Sequence, residues 1–270
     1  MKVGCCVSMV SEQRGGSGSE RIPALAAAGY DYVEMPLAQM MELADEEFDL
    51  LAENVGRSGI PCEACNNFFP PTIRLTGSDV NIRLVEEYID KALDRSHRLG
   101  AKIIVFGSSG AKNVPAGFDH RKAWEQIVDV LRVIDEQIGE RDITVAIEPL
   151  CKRESNIVNN AREGWMLATQ VDRRHIMLLI DYYHLTVEGE DQSIIAQVSG
   201  YLRHLHVANP QGRLFPKPGD DADYRTFFHH LRHAGYDGRV SIEAYTENFL
   251  RAAPEALSTI RGAWRRRDKR

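Results

Sequence analysis

Thr144-Val-Ala-Ile-Glu-Pro-Leu150 decides the reading of this chain. Ile143, Val145 and Ile147 give a short apolar strand that delivers the carboxylate of Glu148 and stops at Pro149. A carboxylate at the tip of a buried strand costs free energy unless something binds it. Three further runs end in the same way: Ile176-Met-Leu-Leu-Ile-Asp181, Leu202-Arg-His-Leu-His206 and Val240-Ser-Ile-Glu243. Successive tips stand roughly 25 to 40 residues apart, about one strand–helix unit. Four such groups at one end of four successive parallel strands make a metal site. Three carboxylates and one imidazole are a hard, oxygen-rich set, suited to Mn²⁺ or Mg²⁺ rather than a thiolate-seeking ion, with Co²⁺ also fitting.

Outward from these tips the chain repeats one alternation eight times. Strands are predicted at Lys2–Val7, Tyr32–Met35, Pro61–Asn66, Lys102–Phe106, Thr144–Glu148, Met177–Asp181, Leu202–Val207 and Val240–Ala244. Helical patterns lie between and after them, at Glu20–Ala28, Glu46–Ser58, Val80–Leu99, Arg121–Ile138, Ala161–Gln170, Gln192–Gly200, Tyr224–Ala234 and Pro254–Arg267. Gly29, Gly59, Gly100 and Gly235 stand where glycine ends a helix before the next strand. Such regular alternation predicts a parallel sheet with right-handed crossovers. Eight units without a linker favour an α/β fold of the closed (β/α)8 type, a TIM barrel, as one domain over residues 1–270. An open doubly wound sheet is the alternative, but no G-x-G-x-x-G follows the first strand. Gly15-Gly-Ser-Gly-Ser19 reads as a mobile loop leading to an N-capping Ser19.

Composition removes several classes of function. Hydrophobic residues make up 43% of the chain, enough for a large core, yet no apolar run reaches membrane-spanning length. The opening MKVGCCVSMV reads as a first strand rather than a signal peptide. The net charge of −6 gives no footprint for nucleic acid. Arg265-Arg-Arg-Asp-Lys-Arg270 reads as a solvated helix end. Five cysteines, with Cys62 and Cys65 in a lone C-x-x-C, point to reduced thiols in a cytoplasmic protein.

Other loops after strands read as walls of the same site. Asn66, Asn67, Phe68 and Phe69 offer amides and aromatic faces to a small ligand, with Asn66 the candidate contact. Gly107-Ser-Ser-Gly110 with Lys112 suggests an anion cradle, although the P-loop pattern is absent. Glu34, at the tip of the second strand, is expected to support the site from its far side. His204 shares the inward parity of His206 one layer deeper and is expected to be packed and hydrogen-bonded.

These pieces carry a resemblance. Ile147-Glu-Pro-Leu150 with Glu154, Asp181-Tyr-Tyr-His184, His204-Leu-His206-Val-Ala, Arg213 and Gly235-Tyr-Asp-Gly-Arg-Val-Ser-Ile-Glu243 resemble the xylose-isomerase-like barrels of sugar isomerases and epimerases. Ketose 3-epimerases and hydroxypyruvate isomerase are members of that group. The resemblance implies that Glu148, Asp181, His206 and Glu243 hold the metal, and that Glu148 and Glu243 also exchange the substrate's proton. It implies substrate contacts from Glu154, His184 and Arg213. The expected activity is a divalent-metal-dependent isomerisation or epimerisation of a ketose or small keto-sugar. An elimination on a keto-sugar or inosose is the alternative, including cleavage of a C-glycoside of a 3-oxo-sugar. An endonuclease IV-like DNA repair enzyme ranks below both, since it needs three metals and more ligands. The expected assembly is a homo-oligomer, dimer or tetramer, with a hetero-complex as the alternative.

Overall fold

A computed structural model describes residues 1–265; the basic stretch read as a solvated helix end lies, beyond Arg265, outside the described residues. Eight parallel strands close on themselves in sequence order: β1 Lys2–Cys6, β2 Tyr32–Pro36, β3 Cys62–Asn66, β4 Ile103–Phe106, β5 Thr144–Ile147, β6 Ile176–Asp181, β7 Leu202–Val207 and β8 Arg239–Ile242. The expected TIM barrel is therefore the observed fold, with strand limits moved by a residue or two.

Side-chain alternation produces two separate cores. Val33, Met35, Ile104, Phe106, Val145, Ile147, Leu178, Ile180, Leu205, Val207, Val240 and Ile242 point outward and pack under the helical ring. The other parity points inward, where Tyr32, Ala64, Ile103, Val105, Ala146 and Leu179 form a smaller apolar cluster inside the barrel. Continuing that inward parity towards the carboxyl ends brings up Glu34, Asn66, Glu148, Asp181, His206 and Glu243. Gly4 is part of this arrangement. A Cβ there would meet the Tyr32 ring at 2.3 Å, so only glycine lets that phenol lie across the barrel interior.

Helices follow most strands, among them Asp45–Arg57, Ile82–Leu99, His120–Ile138, Ala161–Val171, Tyr224–His233 and Phe249–Arg265. Asn81, Asp119, Asn160 and Asp223 each accept a backbone N–H at a helix start. The first helix departs from expectation. Ser19 opens a single 3₁₀ turn, Ser19–Arg21, and caps nothing with its side chain; the α-helix begins at Ile22, with Pro23 in its first turn. Three short helices were not anticipated: Leu37–Met41, Ser109–Lys112 and Tyr182–Val187. Each follows a strand on the carboxyl face, where it helps to build the rim of the site. Among the described residues no helix is long and apolar enough to cross a membrane, and the five cysteines are free and buried.

Candidate active site

The sheet register brings the strand tips together. Asp181 stands opposite His206, and His206 opposite Ser241, two residues before Glu243. One donor atom from each of Glu148, Asp181, His206 and Glu243 lies within 4.8 Å of the others, and all four residues are buried. His206 Nδ1 is 3.0 Å from Glu148 Oε1 and 3.2 Å from Glu243 Oε2. Such a pocket of hard donors fits a divalent cation, which neutralises carboxylates that burial otherwise penalises.

Asp181 does two jobs. Its Oδ1 accepts the backbone N–H of Tyr183 at 2.9 Å and so caps the helix Tyr182–Val187, leaving Oδ2 towards the site. The cap fixes His184 on the first turn, with Nε2 3.6 Å from Asp181 Oδ2. That separation is too long for a hydrogen bond. His184 Nδ1 accepts the backbone N–H of Cys151 at 3.1 Å. The ring proton is thereby assigned to Nε2, a buried donor with no partner among the described residues. Burial, aided by the Arg213 charge, pushes the imidazole pKa down to about 3, so the ring stays neutral at ordinary pH.

Arg213 crosses the mouth of this cluster. Its guanidinium contacts Glu243, reaches Asp181 Oδ2 at 3.3 Å and Glu154 at 3.3 Å, and stacks 4.7 Å from the Tyr183 ring centre. Glu154 thus pairs with Arg213, while the neighbouring Lys152 pairs with Glu188 and Arg153 donates to the Tyr183 hydroxyl. Asn66 Nδ2 donates to Glu243 Oε1 at 3.0 Å, and Asn66 Oδ1 is buried without a partner among the described residues.

The buried charges are unequal. Burial raises the Asp181 pKa to about 7 against the pull of Arg213. Burial also raises Glu148, and the Glu243 charge adds to that rise. For Glu243 the burial penalty is outweighed by His206 and Arg213, and its carboxyl is held well below the usual range. His206, despite burial, is raised by Glu243 and Glu34.

Beneath the cluster lies a polar layer that sequence reasoning only touched. Glu34 is fully buried and meets His206 Nε2 at 2.9 Å, His204 Nε2 at 2.8 Å and the Ser241 hydroxyl. Ser241 in turn meets the Tyr32 hydroxyl at 2.8 Å. Burial opposes ionisation of Glu34, but the two imidazoles more than offset it and hold the carboxyl very low. The signal was present, since Tyr32 and Glu34 share the inward parity of β2.

Above the cluster is a cavity of about 540 Å³. Asn66, Glu148, Glu154, Arg213 and Glu243 form its polar end, and Phe69, Pro70 and Pro71 one wall. Asp181, His184 and His206 lie under this floor. Lys112 is a correction. It is fully buried, donates to the Glu148 carbonyl at 3.2 Å and does not reach the cavity, so no anion cradle includes it. Residues from Ser109 onward form a helical turn instead. Burial lowers its pKa to about 8, partly offset by Glu148.

A sequence profile described as "Xylose isomerase-like TIM barrel" matches residues 22–266. The chain belongs to that family. It is similar to a ketose 3-epimerase of Arthrobacter globiformis, 26% identical over 88% of this chain and 80% of the relative. An L-ribulose 3-epimerase of Methylomonas sp. is 22% identical over 90% and 83%. Among solved structures, D-psicose 3-epimerase from Clostridium cellulolyticum, crystallised with D-tagatose, superposes with a TM-score of 0.85 at 21% identity, covering 98% of this chain and 99% of that one. This likeness extends the shared fold over nearly the whole chain.

Proposed function

We propose that this chain is a divalent-cation-dependent epimerase or isomerase of a ketose or small keto-sugar. The observation that carries the reading is the meeting of Glu148, Asp181, His206 and Glu243 within 4.8 Å at the floor of a sugar-sized cleft. The names of the relatives support a sugar substrate. The donor set suits Mn²⁺, with Mg²⁺ and Co²⁺ as alternatives. When bound there, the cation supplies Lewis-acid stabilisation for the negative charge that develops when a proton leaves the carbon beside a carbonyl.

The chain's own residues supply the proton transfers. Glu243, kept ionised by Arg213, takes the proton. Glu148 delivers one from the other side, so that the two carboxyls act as an acid–base pair. His184 offers a neutral N–H to a substrate oxygen and adds no charge of its own. Arg213 and Glu154 bind hydroxyls at the mouth, and Asn66 holds Glu243 while presenting its amide oxygen. Among the described residues, the cavity lining carries Glu42, Glu148, Glu154 and Glu243 against one guanidinium, so an unphosphorylated sugar suits it best.

The test is a panel of ketoses and keto-sugars with Mn²⁺ in heavy water, followed by NMR. The true substrate gains deuterium at the carbon alpha to its carbonyl as its epimer or isomer forms. Loss of a hydroxyl or aglycone instead identifies elimination. Product formed from α-deuterated substrate in ordinary water, with all of its label retained at the original carbon, overturns the proton-transfer mechanism.

A further inference from the structure

We propose that Glu34 is a positioning residue that sets the tautomer of His206 and so makes Nδ1 the cation-facing nitrogen. The inference rests on the metal reading of this site. His206 has two nitrogens in opposite settings. Nδ1 faces Glu148 and Glu243 at 3.0 and 3.2 Å, and Nε2 faces Glu34 at 2.9 Å. Only the nitrogen without a proton can bind a cation, so the proton must be kept on Nε2.

Three donors hold Glu34 in the accepting role. Oε1 faces His206 alone, whereas Oε2 faces both His204 Nε2 and the Ser241 hydroxyl. The Ser241 oxygen also meets the Tyr32 hydroxyl. With the serine proton directed at Glu34, the phenol becomes the donor to serine. The chain Tyr32 to Ser241 to Glu34 therefore runs in one direction and ends on a carboxylate that only accepts. Every member is buried to 0% exposure, so water is not available to replace a missing partner. Gly4 belongs to the same device, because it makes the space in which the Tyr32 ring lies.

The asymmetry between the two oxygens makes Glu34→Gln informative. The amide oxygen takes the position with two donors, opposite His204 and Ser241. The amide NH₂ then faces His206 Nε2, which must accept, and the imidazole proton moves to Nδ1. The geometry of the pocket is retained but its nitrogen ligand is blocked. Glu34→Asp keeps an acceptor of the right charge at a shorter reach and recovers part of the loss.

The experiment measures Mn²⁺ and Co²⁺ affinity of the full chain by calorimetry and cobalt absorption, together with the melting temperature of the metal-free protein. Glu34→Gln is expected to weaken affinity by ~10- to 100-fold, with Glu34→Asp between it and the parent. Equal affinity in Glu34→Gln and parent overturns the proposal, as does a fall in melting temperature with affinity unchanged. Failure of the parent to bind either ion removes the metal reading itself, a separate result. Should Glu34→Gln fail to fold, the side-chain ¹⁵N spectrum of the parent with Zn²⁺ decides the matter. A proton on Nε2 of His206 supports the proposal, and a proton on Nδ1 overturns it.

Discussion

Strands β5–β8 lead into Glu148, Asp181, His206 and Glu243, whereas β1–β4 lead into Cys6, Glu34, Asn66 and Gly107. Both halves of the rim have the same geometry and the same inward parity, yet their chemistry differs. The second half presents donor atoms to a common point. The first half supports those donors: Glu34 meets His206, Asn66 meets Glu243, and Gly107 leaves space for Glu148. A closed barrel makes this division possible, because residues far apart in sequence meet across its interior. The half that carries the chemistry can be read from strand tips alone, but the half that steadies it shows only when the ring closes.

The comparison breaks most sharply at the glutamate pair. Glu148→Gln and Glu243→Gln are each expected to lower kcat by ~10² to 10⁴, as measured on the substrate found in the NMR panel. If the pair works on opposite faces as proposed, one variant exchanges deuterium while forming no product. Wild-type rates in both would transfer the chemistry elsewhere. Asp181→Ala should abolish the rise in melting temperature that saturating Mn²⁺ gives, a rise worth about 2.7 kcal/mol at a hundred times the Kd. A retained Mn²⁺-dependent shift would remove Asp181 from the ligand set.

Gly107→Ala tests whether the first half acts through the second. A Cβ there would meet Glu148 Oε2 at 2.3 Å, so the carboxylate must move away from its place. Weaker Mn²⁺ binding, by ~10-fold or more, is expected by analogy with disturbed ligand support in metal sites. Unchanged binding would show that Glu148 has room to spare. Asn66→Ala removes one hydrogen bond to Glu243 and is expected to lower kcat about 10- to 150-fold, for a charged-group hydrogen bond of roughly 1.5 to 3 kcal/mol.

Lys112 bears on stability rather than on turnover, and the sign of its effect can be worked out. Its folded pKa of about 8 lies below the ordinary value of 10.5, so the unfolded chain binds more protons between those limits. Its share of stability is complete above pH 10.5 and is lost as pH falls towards 8, about 3 kcal/mol at most by linkage. Lys112→Met should therefore show a flatter rise in stability over pH 8 to 10.5 than the parent in urea melts. Parallel curves would mean that Lys112 keeps its ordinary pKa in the fold.

The barrel was legible because its signal repeats: eight apolar strands, each followed by a longer amphipathic pattern. The meeting of Glu148, Asp181, His206 and Glu243 was legible for a related reason, since each interrupts an apolar run at its end. The helices Leu37–Met41, Ser109–Lys112 and Tyr182–Val187 were not, because four to six residues hold too little periodicity to separate a turn from a helix. Lys112 misled because a lysine beside glycine and serine reads as an exposed cation, and its burial depends on Phe106 and the Glu148 carbonyl. The tautomer of His184 depends on the Cys151 amide, a backbone contact no side-chain pattern records.

Asp181 uses one oxygen to start a helix and leaves the other for the site. The helix it starts carries His184, so under the proposed function the same carboxylate acts as the pivot for a ligand and for a substrate donor. Mechanically, the two behave as one rigid lever rather than as two adjustable parts. A substitution that re-aims the carboxylate must swing the imidazole with it, and a change of substrate that needs His184 elsewhere must loosen the cation as well. Altered specificity is therefore easier to engineer on the opposite wall, at Phe69, Pro70 and Pro71, whose side chains carry no proposed ligand or proton donor.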